Sequence, residues 1–382
     1  MKPNTHIYEG SHAIALTIKN IAPAVVSAYP ITPQTHIVED LAKLKADGQA
    51  NFEYVRAESE FAAASIILGA SATGVRVYSA TSSQGLLLMT EVLYNIAGLR
   101  LPIVMTCANR AVSAPINIWN DHSDVMSIRD AGWIQFFASD NQEAIEQHIL
   151  AYKIAERLNL PVMVNVDGYI LTHAYEPVSI PSPELIKKYL PAYQPADDTY
   201  LNPESPVTFG AFFTPANYLE TRSDLQNDLL TSLDEIKKEY KLLKKIIGGG
   251  GEDNGLVEYY GPKNPETILV AMGSMIGTMR ETIKKYPRVG ILKIKVFRPF
   301  PEETIIKNFR GAKNIAVMEK AISLGHYGPL FTDLKTALDK NNFNLKNYIV
   351  GLGGRDVTGK IISQIIKDAS HKNKTLKFFG EI

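Results

Sequence analysis

The stretch APAVVSAYPITPQTHIVEDL, residues 22–41, sets an apolar run and an amphipathic one on either side of a turn that holds two prolines. The run ending at Ala28 is β-type and reads as a buried strand. Pro30 and Pro33 fix their own φ and push Tyr29 and Thr32 toward extended backbone. Pro33 suits a first helical position, with Thr32 as N-cap and QTHIVEDLAKL as the helix. A strand that hands over to a helix through a short stiff turn is half of a βαβ unit. That reading sets the fold class for the rest of the chain.

Outward from this stretch the pattern repeats. NFEYVRA (51–57) precedes SEFAAASIILGASATG (59–74), VRVYSAT (75–81) precedes QGLLLMTEVLYNIAGL (84–99), and LPIVMTCANR, NQEAIEQHILAYKIAERL and LPVMVNVDGYI follow. Buried β-type runs alternating with helices predict a doubly wound, largely parallel α/β sheet. Ligands in such sheets gather beyond the carboxyl ends of the strands. Thr32, Glu58, Glu60, Ser82, Ser83, Arg110 and Asp167 all follow predicted strands and so share one edge. After residue 170 the pattern gives way to a Pro- and Tyr-rich excursion over 176–206. An amphipathic helix is expected from Ser223 to Ile247, with Ser223 and Gln226 as a capping box. GGGG at 248–251 reads as a flexible linker. A smaller α/β unit follows, with TILVAMGSMIGTMRETIKKY, VGILKIKVFRPFP and NIAVMEKA supplying its first elements. The expected division is residues 1–247, a linker at 248–266, and 267–382.

The chain has 382 residues, 45% of them hydrophobic, with 40 basic and 40 acidic side chains. A balanced charge gives no electrostatic footprint for nucleic acid or an anionic membrane. No apolar stretch has the length of a membrane span, and the start lacks the apolar core of a signal peptide, so the expected location is cytoplasmic. The single cysteine, Cys107, excludes an internal disulfide. It cannot alone hold an iron–sulfur cluster. NDHSD, with Asp121, His122 and Asp124, is one loop with no outside ligand identified, so it reads as polar loop and not as a metal site.

AYPITPQT (28–35), AESEFAAAS (57–65), ATSSQGLLLMTEVL (80–93), CANRAVSAPINIWNDHSDVMSIRDAGWIQ (107–135), VFRPFP (296–301) and GLGGRDVTG (351–359) occur in this order. Together they resemble the α chain of 2-oxoacid:ferredoxin oxidoreductases, most of all those acting on pyruvate, over nearly the whole chain. The resemblance implies a thiamine diphosphate pyrimidine-binding domain followed by a transketolase C-terminal-like domain. It implies thiamine diphosphate at a subunit interface, with Tyr29, Pro30, Glu60, Ser82 and Ser83 on the cofactor's pyrimidine side. A β subunit would hold the diphosphate and Mg²⁺, and γ- and δ-type subunits the [4Fe–4S] clusters that pass electrons to ferredoxin.

Thiamine chemistry needs a carboxylate on the pyrimidine ring to favour the imino tautomer that removes the thiazolium proton. AESEF offers Glu58 and Glu60, and the family's Ser-Glu before a small-residue helix favours Glu60. Glu58 fits a first-turn partner of the helix dipole. Arg110 would pair with the 2-oxoacid carboxylate through its planar fork, and Thr32 would donate to the same substrate. VDGY at 166–169 lacks the asparagine pair of a diphosphate motif, so that half of the site is expected elsewhere. The reaction implied is oxidation of pyruvate with CoA to acetyl-CoA and CO₂, reversibly. Another 2-oxoacid (2-oxoisovalerate, an aryl glyoxylate, oxalate) and a non-catalytic assembly role are the alternatives.

Overall fold

The computed structural model describes residues 5–248, 253–309, 311–338, 343–371 and 374–380. Residues 249–251 of the expected glycine linker lie outside them. The first sheet runs, in spatial order, Val296–Arg298, Ile134–Phe137, Val162–Asp167, Val104–Asn109, Val77–Thr81, Val25–Ala28 and Glu53–Arg56. From Ile134–Phe137 onward every pairing is parallel. The three central strands are buried along their whole length. Covered on both faces, they read as continuous apolar runs and not as alternation.

The path of the chain places the site. It goes from Val25–Ala28 to a neighbour on one side, Glu53–Arg56, and then crosses to Val77–Thr81 on the other. Strand order therefore reverses beside Val25–Ala28, and crevices form beyond the carboxyl ends at such a reversal. The loops at that point begin at Tyr29 and at Ser82.

The second sheet has the order Leu376–Phe378, Asn344–Ile349, Asn314–Glu319, Thr267–Ala271, Val289–Ile294 and Val257–Tyr260, parallel except at its last strand. Its own reversal lies between Thr267–Ala271 and Asn314–Glu319. Two expectations change here. Val257–Tyr260, inside the expected linker, is an edge strand. VFRPFP does not stay in the second unit: Val296–Arg298 pairs antiparallel with Ile134–Phe137 of the first sheet. Phe297 packs edge-on against Phe137 there, with ring centroids 6.2 Å apart. Apolar pattern alone does not say which of two sheets a strand joins.

The seam between the sheets is also ionic. Glu143 lies 2.8 Å from Lys293 and 3.0 Å from Lys295, and all three side chains are buried. Burial alone would raise the Glu143 pKa, but the two ammonium groups hold it well below the usual carboxylate range.

The long helix spans Pro215–Ile247, eight residues earlier than expected, and Thr214 caps it in place of Ser223. The excursion before it contains the strand Tyr175–Val178, paired with His6–Glu9, and the helix Pro183–Tyr189 capped by Ser182. Among the described residues no helix is long and apolar enough to cross a membrane.

Candidate active site

The turn after Val25–Ala28 is built differently from the capped helix start expected of it. The helix is Thr35–Ala46, with Gln34 and not Thr32 at its N-cap position. Gln34 is fully buried, and its Nε2 donates to Ala80 O at 2.6 Å, which ties the turn to the neighbouring strand. Thr32 is exposed; its carbonyl accepts from Arg110 Nη1 at 2.9 Å. The Thr32 hydroxyl has no hydrogen-bond partner among the described residues. Tyr29 and Pro30 are exposed at the rim of the same crevice.

Glu60 opens the helix Glu60–Ala72, whose N-cap Ser59 accepts from Ala62 N at 3.2 Å. Glu58, expected in the first turn, instead precedes the N-cap and is exposed, whereas Glu60 is the first-turn glutamate, a position ordinarily solvated. Glu60 is instead only 8% exposed. Its carboxylate lies against Gly85, where an added Cβ would fall 2.6 Å from both Glu60 Oε1 and Thr81 Oγ1. The approach requires a residue without a side chain. On the strand-to-helix turn that carries Gly85, Thr81 Oγ1, Ser82 Oγ and Gln84 Nε2 are buried, with no hydrogen-bond partner among the described residues. An unsatisfied buried polar atom costs about 1–3 kcal/mol, so three on the turn that abuts this carboxylate mark a place that a polar ligand edge would complete.

Ser83 has another job. Its hydroxyl lies 2.6 Å from Gln84 Oε1 and 2.7 Å from Ala111 O, with one proton to give between them, and its N–H donates to Asp124 at 3.1 Å. Its φ of +47° makes it a sharp corner between strand and helix. It holds the turn, whereas the neighbouring Ser82 hydroxyl is buried with no partner among the described residues.

Asp124, expected only as part of a polar loop, organises this part of the site. Its carboxylate accepts from the backbone N–H of Ser83, of Arg110 at 2.9 Å and of Val125 at 2.7 Å, and from Asn109 Nδ2 at 3.2 Å. It thereby locks the ends of Val77–Thr81 and Val104–Asn109 together. Burial pushes its pKa up to about 6, against the lowering effect of those donors and helped by nearby Asp121.

A carboxyl whose pKa rises on folding favours the fold when protonated, and that contribution is lost as pH rises through about 6. Denaturant titrations of wild type and Asp124→Asn should give a constant stability difference above about pH 7. Below about pH 6 the difference should widen in favour of wild type, by up to about 1.4 kcal/mol per pH unit. A difference that stays constant on acidification would leave the carboxyl at its ordinary pKa, and one that moves toward the variant would put it below.

Arg110 is 7% exposed, and its Nε donates to Asn117 O at 3.0 Å. With Nη1 on Thr32, the guanidinium is held at two of its three nitrogens, and Nη2 has no acceptor among the described residues. Desolvation lowers the Arg110 pKa from its usual value, partly offset by Tyr169 and Asp124. A desolvated, pre-oriented guanidinium with a free end is built to take a planar anion.

The second unit reaches this site through two contacts. Asp167 is buried, 2.7 Å from both His122 Nε2 and Lys320 Nζ, and it accepts from Ser274 N at 3.0 Å. Ser274 and Lys320 stand at the reversal point of the second sheet, so Asp167 plugs that crevice. Burial would raise the Asp167 pKa, yet Lys320 and His122 hold it far below the usual range. The GLGGRDVTG loop meets the loop before helix Ser123–Ser127: Asn117 Nδ2 donates to Gly353 O and Gly353 N to Asp121, each at 3.1 Å. Gly354, at φ +83°, passes so close to Trp119 that a Cβ would lie 2.3 Å from its Cβ. Asp121, His122 and Asp124 therefore point to three different partners and form no joint ligand set.

Comparison with known proteins fits this arrangement. The family described as "Pyruvate flavodoxin/ferredoxin oxidoreductase, thiamine diP-bdg" matches residues 17–241, and "Pyruvate:ferredoxin oxidoreductase core domain II" matches residues 265–362. The chain belongs to the pyruvate flavodoxin/ferredoxin oxidoreductase family. It is an α-type subunit of a 2-oxoacid:ferredoxin oxidoreductase, hence part of an oxidoreductase made of several subunits. The "Pyruvate synthase subunit PorA" of Methanosarcina barkeri is 45% identical over 97% of this chain and 93% of the relative. The "Ketoisovalerate oxidoreductase subunit VorA" of Pyrococcus abyssi is 40% identical over 96% of this chain and 94% of its own length. Among solved structures, a 2-oxoglutarate:ferredoxin oxidoreductase from Magnetococcus marinus shares the fold, with TM-score 0.74 and 21% identity. That alignment covers 96% of this chain and 65% of the other.

The residues at the crevice fit the pyrimidine half of thiamine diphosphate. An aminopyrimidine presents ring nitrogens and an amine along one edge. The buried Glu60 carboxylate and the unpartnered Thr81, Ser82 and Gln84 groups are matching donors and acceptors. Thr81, Gln84 and Gly85 had no assigned role in the sequence. ATSSQG, small and polar residues directly after a buried strand, was their available signal.

Proposed function

We propose that this chain is the α subunit of a complex that converts pyruvate and CoA to acetyl-CoA and CO₂ with reduction of ferredoxin, reversibly. The observation that carries the reading is the buried Glu60 carboxylate against Gly85, beside unpartnered polar groups, at the reversal point of the first sheet. When bound, thiamine diphosphate supplies the nucleophilic carbon and the electron sink that decarboxylation needs.

This chain's residues do the rest of one half-site. Glu60 takes and returns a proton at the pyrimidine edge, and Ser82 and Gln84 fix that edge in register. Arg110 orients the substrate carboxylate through its free Nη2, and the Thr32 hydroxyl donates beside it. Asp124 and Ser83 hold the loops that carry these groups. A β-type subunit supplies the diphosphate and Mg²⁺ site, and γ- and δ-type subunits carry the [4Fe–4S] clusters. The single buried Cys107 agrees with clusters held elsewhere.

Substrate choice is the nearer contest, because relatives named for pyruvate and for ketoisovalerate stand at 45% and 40% identity. The test is CoA-dependent ferredoxin reduction by the purified complex on pyruvate, 2-oxoisovalerate, an aryl glyoxylate and 2-oxoglutarate. Pyruvate should lead in kcat/KM by about tenfold or more, the scale on which a pocket separates substrates that differ by methylenes. Equal or better turnover of 2-oxoisovalerate would assign the branched-chain reaction.

A further inference from the structure

Three segments distant in sequence meet beside the 29–34 turn. Glu9 ends the strand His6–Glu9, His36 lies in the first turn of Thr35–Ala46, and His173 follows Val162–Asp167. The backbone fixes two of them against each other: Gly10 N donates to Ala174 O at 3.0 Å, and Ser11 N to Thr172 O at 2.9 Å. A Cβ at Gly10 would fall 2.0 Å from Leu171 O, so the close crossing depends on that glycine.

The side chains converge. His36 Nδ1 is 2.6 Å from Glu9 Oε1, and the His36 and His173 rings lie 4.6 Å apart at 38°. One ligand atom from each of the three residues falls within 4.8 Å of the others. An ion pair would account for Glu9 with His36 but not for the His173 ligand atom that falls within 4.8 Å of both. Two imidazole faces gain little from each other in water. One cation at their centre would use all three groups.

We propose that Glu9, His36 and His173 bind a single divalent ion of the Zn²⁺ class. Two imidazole nitrogens and one carboxylate oxygen suit Zn²⁺, Co²⁺, Ni²⁺ or Cu²⁺, whereas Mg²⁺ and Ca²⁺ take oxygen sets. His173 is prepared for the role by its neighbours. Thr172 Oγ1 accepts from Tyr169 N at 2.8 Å and lies 2.7 Å from His173 Nδ1. With Nδ1–H donating to that hydroxyl, Nε2 carries the free lone pair, the orientation that outer partners impose on metal-binding histidines. The Tyr169 ring, 4.7 Å from His173 and 4.6 Å from Trp119, keeps the imidazole from swinging away. His36 remains partly exposed, so solvent completes the coordination. The ion would pin the chain's first strand and the 168–174 loop to the helix that follows Thr32.

The test uses the untagged full chain, stripped with chelator and titrated with Zn²⁺ by calorimetry and with Co²⁺ by visible absorption. One saturable equivalent with micromolar or tighter affinity, and a Co²⁺ spectrum of low coordination number, are expected. Glu9→Gln and His173→Ala should each weaken binding at least about tenfold. His12→Ala, which removes a histidine paired with Asp40 at 3.0 Å, should leave it unchanged. Circular dichroism without metal checks that each variant is folded; should His173→Ala fail there, His173→Gln takes its place. No saturable binding by wild type, or binding unchanged in both ligand variants, overturns the proposal.

Discussion

Glu60→Gln should lower turnover of the assembled complex by about 10²–10⁴-fold, the range in which a general acid–base contribution operates. Glutamine keeps the volume of the side chain and one carbonyl acceptor, so it fills the same space against Gly85. It cannot carry the negative charge that stabilises a protonated ring edge. Because the loss falls on the proton-transfer step, kcat and kcat/KM should fall together while KM changes little. Subunit assembly should be unaffected, since the exchange is nearly isosteric. Glu58→Gln is the control: its side chain is exposed, and removing it should alter turnover less than about twofold. Steady-state kinetics on the two purified variants checks both. A collapse in Glu58→Gln with Glu60→Gln intact would reassign the carboxylate.

Arg110→Ala should raise the KM for the 2-oxoacid by about 10- to 150-fold, equivalent to about 1.5–3 kcal/mol for one charge-assisted partner. The guanidinium also bonds Thr32 O and Asn117 O, at 2.9 Å and 3.0 Å, so its loss frees both loops. Thr32→Val separates the two effects. It removes only a hydroxyl and should cost about 0.5–1.5 kcal/mol in kcat/KM. CoA dependence should stay near wild type in both variants. If both lose CoA binding and keep normal 2-oxoacid dependence, these residues line another ligand's site.

Much of this site could be read from strand ends. Thr32, Arg110 and Ser82 each follow a buried apolar run, and parallel strands bring such ends to one edge. The bond between Arg110 and Thr32 joins positions 78 apart in sequence. Ser59 before Glu60 gave the helix start its phase, and burial then distinguishes Glu60 from Glu58.

What stayed hidden was held by contacts without a local pattern. Asp124 sits in a segment that looks merely polar, and four of its five donors, Cys107 Sγ among them, lie on strands or turns elsewhere in the chain. Thr214-Pro215 is a sound helix start, but residues 211–220 are exposed, so no apolar period announces the first turns. The sheet that Val296–Arg298 joins depends on the seam with Phe137, which no periodicity encodes. Glu9, His36 and His173 are equally scattered and meet only through the fold.

The central claim is that this chain holds one half of a thiamine diphosphate site and a partner subunit completes it. The most direct measurement is calorimetry of thiamine diphosphate with Mg²⁺, first against the isolated chain and then against the chain reconstituted with its β-type partner. The pyrimidine edge alone offers a few hydrogen bonds and a small apolar face, too little to offset the cost of association. Weak or undetectable binding by the isolated chain, and tight saturable binding after reconstitution, is the expected result. Micromolar binding by the isolated chain would contradict the divided site and require a diphosphate pocket within these 382 residues.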